Sequence, residues 1–97
     1  MKRLSIQAID FTPNMEPLKA LLEPEKCHNF DYNATYRLID GTLVYAYWHG
    51  TTHLYLNLST DLKTWNYDLD EDAYNEISRD EALRLIFPVQ VSWPLIE

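Results

Sequence analysis

The chain of 97 residues is long enough for one hydrophobic core and too short for two, so we expect a single globular domain over residues 1–97. A hydrophobic fraction of 46%, with two glycines and five prolines, excludes a long disordered segment. The net charge of -7 disfavours direct contact with nucleic acid or anionic lipid, because their phosphate groups would be repelled.

The amino-terminal residues and the single cysteine indicate where the protein works. The opening stretch MKRLSIQAID lacks the apolar core of a signal peptide, and no apolar run reaches the roughly 18 residues of a membrane span. One cysteine, Cys27, excludes an intramolecular disulfide and fits a reducing compartment. We therefore expect a cytoplasmic protein that does not contact a membrane.

The first two predicted elements are a strand and a short helix. Residues 3–11 alternate apolar and polar side chains with the period of a half-buried strand. Residues 12–24 indicate a helix with Asn14 as its N-cap, Pro17 in its first turn and Pro24 at its end. The apolar stripe of this helix consists of Leu18, Leu21 and Leu22.

A β-hairpin is the strongest local prediction. The pair Asp40-Gly41 between two β-prone runs is typical of a two-residue type I′ turn, which would pair Leu38 with Leu43. One face would then carry Tyr36, Leu38, Leu43, Tyr45 and Tyr47. The second face would carry Arg37, Ile39, Thr42, Val44, Ala46 and Trp48.

The next hairpin has two candidate registers, and they differ in what they do with two histidines. One has the two-residue type II′ turn Gly50-Thr51, and the other has a three-residue loop that brings His49 opposite His53. We favour the two-residue turn, because glycine suits its first central position. The three-residue loop would place an arginine among leucines. The favoured register puts the histidines on opposite faces.

A third turn is predicted near residues 60–63, with Leu58 opposite Trp65. The surrounding segment STDLKTW resembles part of the Asp-box turn of sialidase-like β-propellers, S-x-D-x-G-x-T-W, although it lacks the glycine and is one residue shorter. The resemblance concerns turn chemistry and not sugar cleavage. It implies that Asp61 accepts backbone hydrogen bonds and that Trp65 anchors the following strand.

The last predicted elements are a helix and an edge strand. Ser78 and Glu81 form a capping box that opens a helix through Ile86, before Pro88. Residues 89–93 alternate like an edge strand. The buried stripe of the helix is Ala82, Leu83, Leu85 and Ile86. The whole pattern predicts an α+β fold, an antiparallel meander of about four to six strands with two short helices on one face, in the order β-α-β-β-β-β-α-β.

Residue types that often carry chemistry have plainer roles here. His49 and His53 would need a shared direction and further ligands to bind a metal. Cys27 and His28 are sequence neighbours, and neighbouring side chains usually point apart. The acids of DLDED share one solvated loop, without the different environments that acid and base catalysis need. We therefore expect a non-catalytic protein without a metal or cofactor.

The surface remains as the candidate for function. Acids concentrate between residues 61 and 81, which suits a protein partner with a basic surface, as for an inhibitor or immunity-type protein. A small-ligand-binding domain that uses the second sheet face is the alternative, and a small metal- or thiol-dependent enzyme is a third. A homodimer that covers this face is a further alternative. The candidate binding residues are Arg37, Trp48, His53, Tyr55, Asn57, Asp70, Glu71 and Asp72.

Overall fold

The computed structural model describes residues 2–87 as six antiparallel strands and two short helices in the order β-α-β-β-β-β-β-α. The predicted α+β class and the antiparallel meander with two short helices are confirmed. The strands are β1 Lys2–Asp10, β2 Phe30–Leu38, β3 Leu43–His49, β4 Leu54–Ser59, β5 Thr64–Asp68 and β6 Ala73–Ile77. The helices are α1 Glu16–Leu21, which a 3-10 turn at Pro24–Lys26 follows, and α2 Arg79–Ile86.

The meander closes on itself. Each strand pairs with the next along the chain, and β1 also pairs with β6, with Arg3 opposite Tyr74. A closed sheet has an inner side and an outer side, and it leaves no edge strand at the two ends of the meander. The side of β3 and β4 that carries Trp48 and Asn57 is therefore the inside of the barrel.

The strand β6 is the element that the sequence analysis missed. Its residues, AYNEI, follow directly on the acidic loop and contain few β-branched or aromatic side chains, so their local signal is weak. The edge strand predicted at residues 89–93, together with Pro88, lies outside the described residues. Within residues 2–87, neither helix is long and apolar enough to cross a membrane.

The two helices cover one part of the outer side and build the larger core cluster. Leu18 of α1 and Ile86 of α2 contribute to the same cluster as Tyr47, Leu56 and Leu58 from the strands. All five side chains are buried. Burial of apolar side chains from both helices and two strands fixes the helices on the barrel.

The helix predictions are confirmed in their main features and wrong in two details. The Ser78 hydroxyl accepts a hydrogen bond from the Glu81 backbone N–H at 3.0 Å, as the capping box predicts. Leu85 is 52% exposed, because α2 buries a narrower stripe than predicted. The N-cap of α1 is Met15 and not Asn14. Asn14 lies one position before the N-cap, and its side-chain oxygen accepts a hydrogen bond from the Glu16 N–H at 3.1 Å.

The β2–β3 turn is one residue longer than predicted. The loop has three residues, 39–41, and the Leu38 N–H donates to the Thr42 carbonyl at 2.8 Å. Only Gly41 has positive φ, whereas a type I′ turn needs it at both central residues. Because of this shift, Arg37 pairs with Leu43 and not with Val44. The faces of β3 are therefore reversed relative to those of β2.

The β3–β4 turn has four residues, so neither predicted turn is right. His53 takes positive φ and donates its N–H to the His49 carbonyl at 2.9 Å, and Gly50 does not take the positive φ of a type II′ turn. Tyr47 consequently faces Leu56 and not Leu54. The shift amounts to two residues, so the leucines of β4 stay on the tyrosine side as predicted.

The β4–β5 turn repeats the geometry of the first. The Ser59 N–H donates to the Lys63 carbonyl, and Leu62 occupies the positive-φ position. Trp65 faces Asn57 on the inner side and not Leu58, which corrects the predicted pairing. The turn chemistry implied by the Asp-box resemblance is present, because the Ser59 hydroxyl and backbone amides lower the pKa of Asp61.

Replacement of Gly41 tests the three-residue turn. Gly41 has φ near 90°, and a Cβ built there meets nothing within 4 Å, so the cost of a side chain would be conformational. We expect Gly41→Ala to lower the free energy of unfolding by about 1 kcal/mol in urea denaturation. Gly41→Asn is the matched control, and its free energy of unfolding should fall by less than that of Gly41→Ala, because asparagine tolerates positive φ better than alanine does. Equal losses in the two variants would contradict this explanation.

Candidate functional site

One end of the barrel interior is filled by a second cluster of apolar side chains. Leu38, Val44, Trp65 and Tyr74 are all buried there, with Tyr67 packed against them. Leu38 belongs to β2 and Trp65 to β5, which are not neighbours in the sheet, so their contact crosses the interior. This cluster fills part of the barrel interior.

A cavity of about 240 Å³ lies beside this cluster, because Tyr67 and Tyr74 belong to both, and we call it the barrel cavity. Ala46, Asn57 and Tyr74 are buried and form its floor. Tyr55 is 49% exposed and lies at the rim. The residues that line the barrel cavity are Asn33, Tyr36, Ala46, Tyr55, Asn57, Tyr67, Asp72 and Tyr74.

Three of the lining tyrosines form one connected wall. The ring of Tyr74 lies 6.2 Å from that of Tyr36 and 5.0 Å from that of Tyr67, at interplanar angles of 45° and 47°. Burial raises the pKa of Tyr74, and the hydrogen bond to Asp72 raises the pKa of Tyr67. Both hydroxyls therefore stay protonated at neutral pH and can act as hydrogen-bond donors.

Two polar contacts hold the rim and the floor in place. The Tyr67 hydroxyl donates to Asp72 Oδ1 at 2.6 Å, and the Asn57 amide donates to the Trp65 carbonyl at 3.2 Å. Asn57 is one of the predicted binding residues, and only 4% of it is exposed, because its side of β4 is the inside of the barrel. A buried amide that lines a cavity can supply a directional contact to a ligand.

The predicted aromatic cluster exists as a set of direct contacts. Trp48 stacks on His53 with centroids 5.7 Å apart and meets Tyr55 edge to face at 4.9 Å. All three line a second cavity of about 230 Å³, which we call the gap cavity. The remaining residues that line the gap cavity are Leu54, Leu56, Asn57, Trp65, Asn66, Tyr67, Ile77, Ala82, Leu85 and Ile86.

The gap cavity lies where β4 and β5 separate. The two strands pair only at Asn57–Trp65 and Leu58–Thr64, so their other ends diverge. The lining combines side chains of the inner side with residues of α2 on the outer side. Tyr55, Asn57 and Tyr67 line both cavities, so the separation of the strands brings the two cavities side by side.

The two histidines of the β3–β4 turn have separate surroundings. His49 is buried against the rings of Phe30 and Phe87, at centroid distances of 4.6 and 5.6 Å. His53 is exposed and stacks on Trp48. The pair therefore does not converge on one point. In the described part of the chain, no three His, Cys, Asp or Glu side chains are grouped as a metal would require.

The ring of His49 supports the turn as a neutral group. Its Nδ1 accepts the Thr52 N–H at 3.4 Å and lies 2.9 Å from the Thr52 hydroxyl. Desolvation lowers the pKa of His49 below its ordinary value. Protonation would place a charge beside two phenyl rings and remove the acceptor at Nδ1.

Acidification should therefore weaken the fold through His49. The unfolded chain protonates this residue at about pH 6.5, whereas the folded chain does so only at lower pH. The unfolded state then binds more protons, so the free energy of unfolding is fully kept above that pH and falls as the pH drops through 6.5 toward the folded pKa. Urea denaturation between pH 8 and 5 should show that the free energy of unfolding depends less steeply on pH in His49→Gln than in the native protein. His53→Gln is the control, and an equal change in both variants would contradict the assignment.

The other predicted binding residues lie apart from both cavities. Arg37 is exposed and points to the opposite side of β2 from Tyr36, which corrects its placement with Trp48. Asp70 and Glu71 are exposed in the β5–β6 loop, where their N–H groups donate to the Asp68 carboxylate at 3.0 and 3.3 Å. Only Asp72 of this acidic group reaches the barrel cavity.

Five lining residues of the barrel cavity were not among the predicted binding residues. They come from β2, β3, β5 and β6 and are Asn33, Tyr36, Ala46, Tyr67 and Tyr74. Alternation within each strand could have assigned a side to each tyrosine, but only the closure of the barrel brings β2 close to β6. Comparison of the chain with protein-family models, curated proteins and solved structures finds no match.

Proposed function

We propose that this protein is a small-ligand-binding domain whose ligand sits in the barrel cavity. The observation that carries the proposal is an aromatic cavity with a buried amide, Asn57, at its floor and a hydrogen-bonded carboxylate, Asp72, at its rim. Ligand sites in small barrels commonly combine apolar walls with a few fixed polar groups in this way.

The size of the barrel cavity limits the class of ligand. A volume of about 240 Å³ lies just below the roughly 300–1,000 Å³ of cavities that hold drug-sized molecules. It suits a small metabolite and not a peptide segment or a folded domain. The rim position of Tyr55, which also lines the gap cavity, gives a ligand room to extend beyond the barrel cavity.

A leucine at position 46 should block the proposed site. Ala46 is 2% exposed at the floor, so a larger side chain there would fill the space that a ligand needs. We expect at least one of phenol, cyclohexanol, butyrate and tetramethylammonium to shift the NMR signals of Tyr36 and Asn57 saturably in the native protein. The same compound should produce no saturable shift in Ala46→Leu.

The matched control is Leu85→Ala, which changes a half-exposed residue of the gap cavity. Binding in the barrel cavity should survive this change. Circular dichroism would verify that Ala46→Leu is folded. Saturable binding that persists in folded Ala46→Leu would contradict the proposed site.

A second candidate function is recognition of a protein with a basic surface. The acids of the region 61–81 are mostly exposed. Lys63 pairs with both Asp61 and Glu76 at 3.9 Å, but one lysine offsets only part of this charge, so the region keeps a negative field. A stoichiometric basic partner should dissociate as salt is raised, and it should bind an Asp70→Asn, Glu71→Gln variant more weakly. Unchanged affinity in that variant would contradict this candidate.

A further inference from the structure

We propose that the barrel cavity binds a small organic ammonium cation, which the tyrosine rings and the Asp72 carboxylate hold together. This inference rests on the proposed ligand-binding function and adds the chemical class of the ligand. It combines a concave aromatic wall, the absence of basic groups among the described side chains of the lining, and one carboxylate at the rim.

The wall has the shape of a partial aromatic cage. The rings of Tyr36 and Tyr67 are each inclined to the ring of Tyr74, by 45° and 47°, so the three do not form a flat stack. Tyr55 adds a fourth ring at the rim. The faces of aromatic rings carry negative potential and attract a cation within about 6 Å of the ring centre, as in the cages that recognise methylated ammonium groups.

The charges of the lining favour a cation over an anion. Among the side chains that the structure describes, Asp72 is the only charged residue of the lining, and no Lys, Arg or His lines the cavity. The Tyr67 hydroxyl holds the carboxylate at the rim through Oδ1. Asp68 at the end of β5, and Asp70 and Glu71 earlier in the same loop, add potential of the same sign. None of the described side chains of the lining would give an anion a basic partner in this field.

An organic ammonium fits this lining better than a metal ion does. Calcium and magnesium take six or more oxygen ligands at about 2.0–2.6 Å, and the lining offers one carboxylate and two side-chain amides. A methylated ammonium spreads its charge over a larger surface and is less strongly hydrated, so transfer to an aromatic cavity costs less. The volume of about 240 Å³ accommodates such a group with a short polar arm.

A pair of compounds of the same shape separates charge from size. Choline carries a trimethylammonium group, and 3,3-dimethylbutan-1-ol is its neutral counterpart with carbon in place of nitrogen. Both would be titrated into the full chain while the aromatic NMR signals of Tyr36, Tyr67 and Tyr74 are followed. We expect choline to shift these signals saturably and to bind at least tenfold more tightly than the alcohol.

Two variants of one loop separate local contact from net charge. Asp72→Asn removes the carboxylate of the lining, and asparagine tolerates the φ of 50° at this position. Asp70→Asn removes the same charge from the same loop without touching the cavity. We expect choline to bind about tenfold more weakly to Asp72→Asn, and to bind Asp70→Asn with less than a twofold change.

The outcomes separate this inference from the proposed function. Equal affinities for choline and the alcohol would overturn the cation assignment and leave ligand binding in place. Equal effects of the two loop variants would show that net charge, and not the cavity carboxylate, is responsible, which also overturns it. Absence of any shift with choline would overturn it as well, and the Ala46→Leu experiment with the four other compounds would then decide the proposed function by itself.

Discussion

Leu58→Ala is expected to lower the free energy of unfolding by about 2–5 kcal/mol. Leu58 is fully buried in the cluster that joins both helices to the barrel, so truncation removes apolar contacts and leaves a cavity between α1, α2 and β4. Because the two helices meet the strands in this one cluster, the structure has little freedom to collapse around the missing side chain. Urea denaturation followed by circular dichroism would measure the loss.

The matched control is Leu54→Ala, the same substitution on the same side of the same strand. Leu54 is 41% exposed at the start of β4 and does not belong to the core cluster. Leu54→Ala should lower the free energy of unfolding by less than about 1 kcal/mol. A larger loss for Leu54→Ala than for Leu58→Ala would contradict the four-residue β3–β4 turn, since the predicted Gly50-Thr51 turn would pair Leu54 with the buried Tyr47.

Trp65→Ala is expected to cost about 3–5 kcal/mol, because it removes the largest side chain from the barrel interior. Trp65 is 3% exposed and contacts a cluster drawn from β2, β3 and β6. Loss of this ring would remove contacts that join strands on opposite sides of the barrel. The free energy of unfolding from urea denaturation is the readout.

Trp48→Ala is the control for the tryptophan substitution. Trp48 is half-buried and contacts His53 and Tyr55 at the end of the sheet. We expect it to cost less than half as much as Trp65→Ala. Equal costs would show that Trp65 does not fill a closed interior, and they would contradict the closure of β1 on β6.

The elements that the sequence predicted correctly depend on neighbouring residues. Ser78 and Glu81 lie three positions apart on one helical turn, so the capping box specifies its own contact. The prolines and leucines of α1 likewise act within one short segment. Such patterns require no knowledge of the rest of the chain, and the structure places both helices where they were predicted.

The hairpin registers were wrong because turn residues are compatible with more than one loop length. Asp40-Gly41 is typical of a two-residue turn, but here it forms the end of a three-residue loop in which glycine alone has positive φ. One extra residue reverses the side of every following side chain. That reversal placed Tyr36 and Leu38 on the inner side together with Val44, and it placed Arg37 on the outer side.

The site was predicted in part. Contacts among Trp48, His53 and Tyr55 follow from one hairpin, so alternation within neighbouring strands sufficed to bring them together. The barrel cavity requires the pairing of β1 with β6, which joins residues about 70 positions apart, as in Arg3 opposite Tyr74. No local pattern specifies that pairing, and β6 itself has a weak strand signal.

A small ligand that binds inside the closed barrel can be located by intermolecular NOEs from bound choline. We expect NOEs from the N-methyl protons to the ring protons of Tyr36 and Tyr74, which lie on β2 and β6 and meet only inside the barrel. NOEs confined to Trp48 and His53 would place the ligand in the gap cavity and contradict binding inside the barrel.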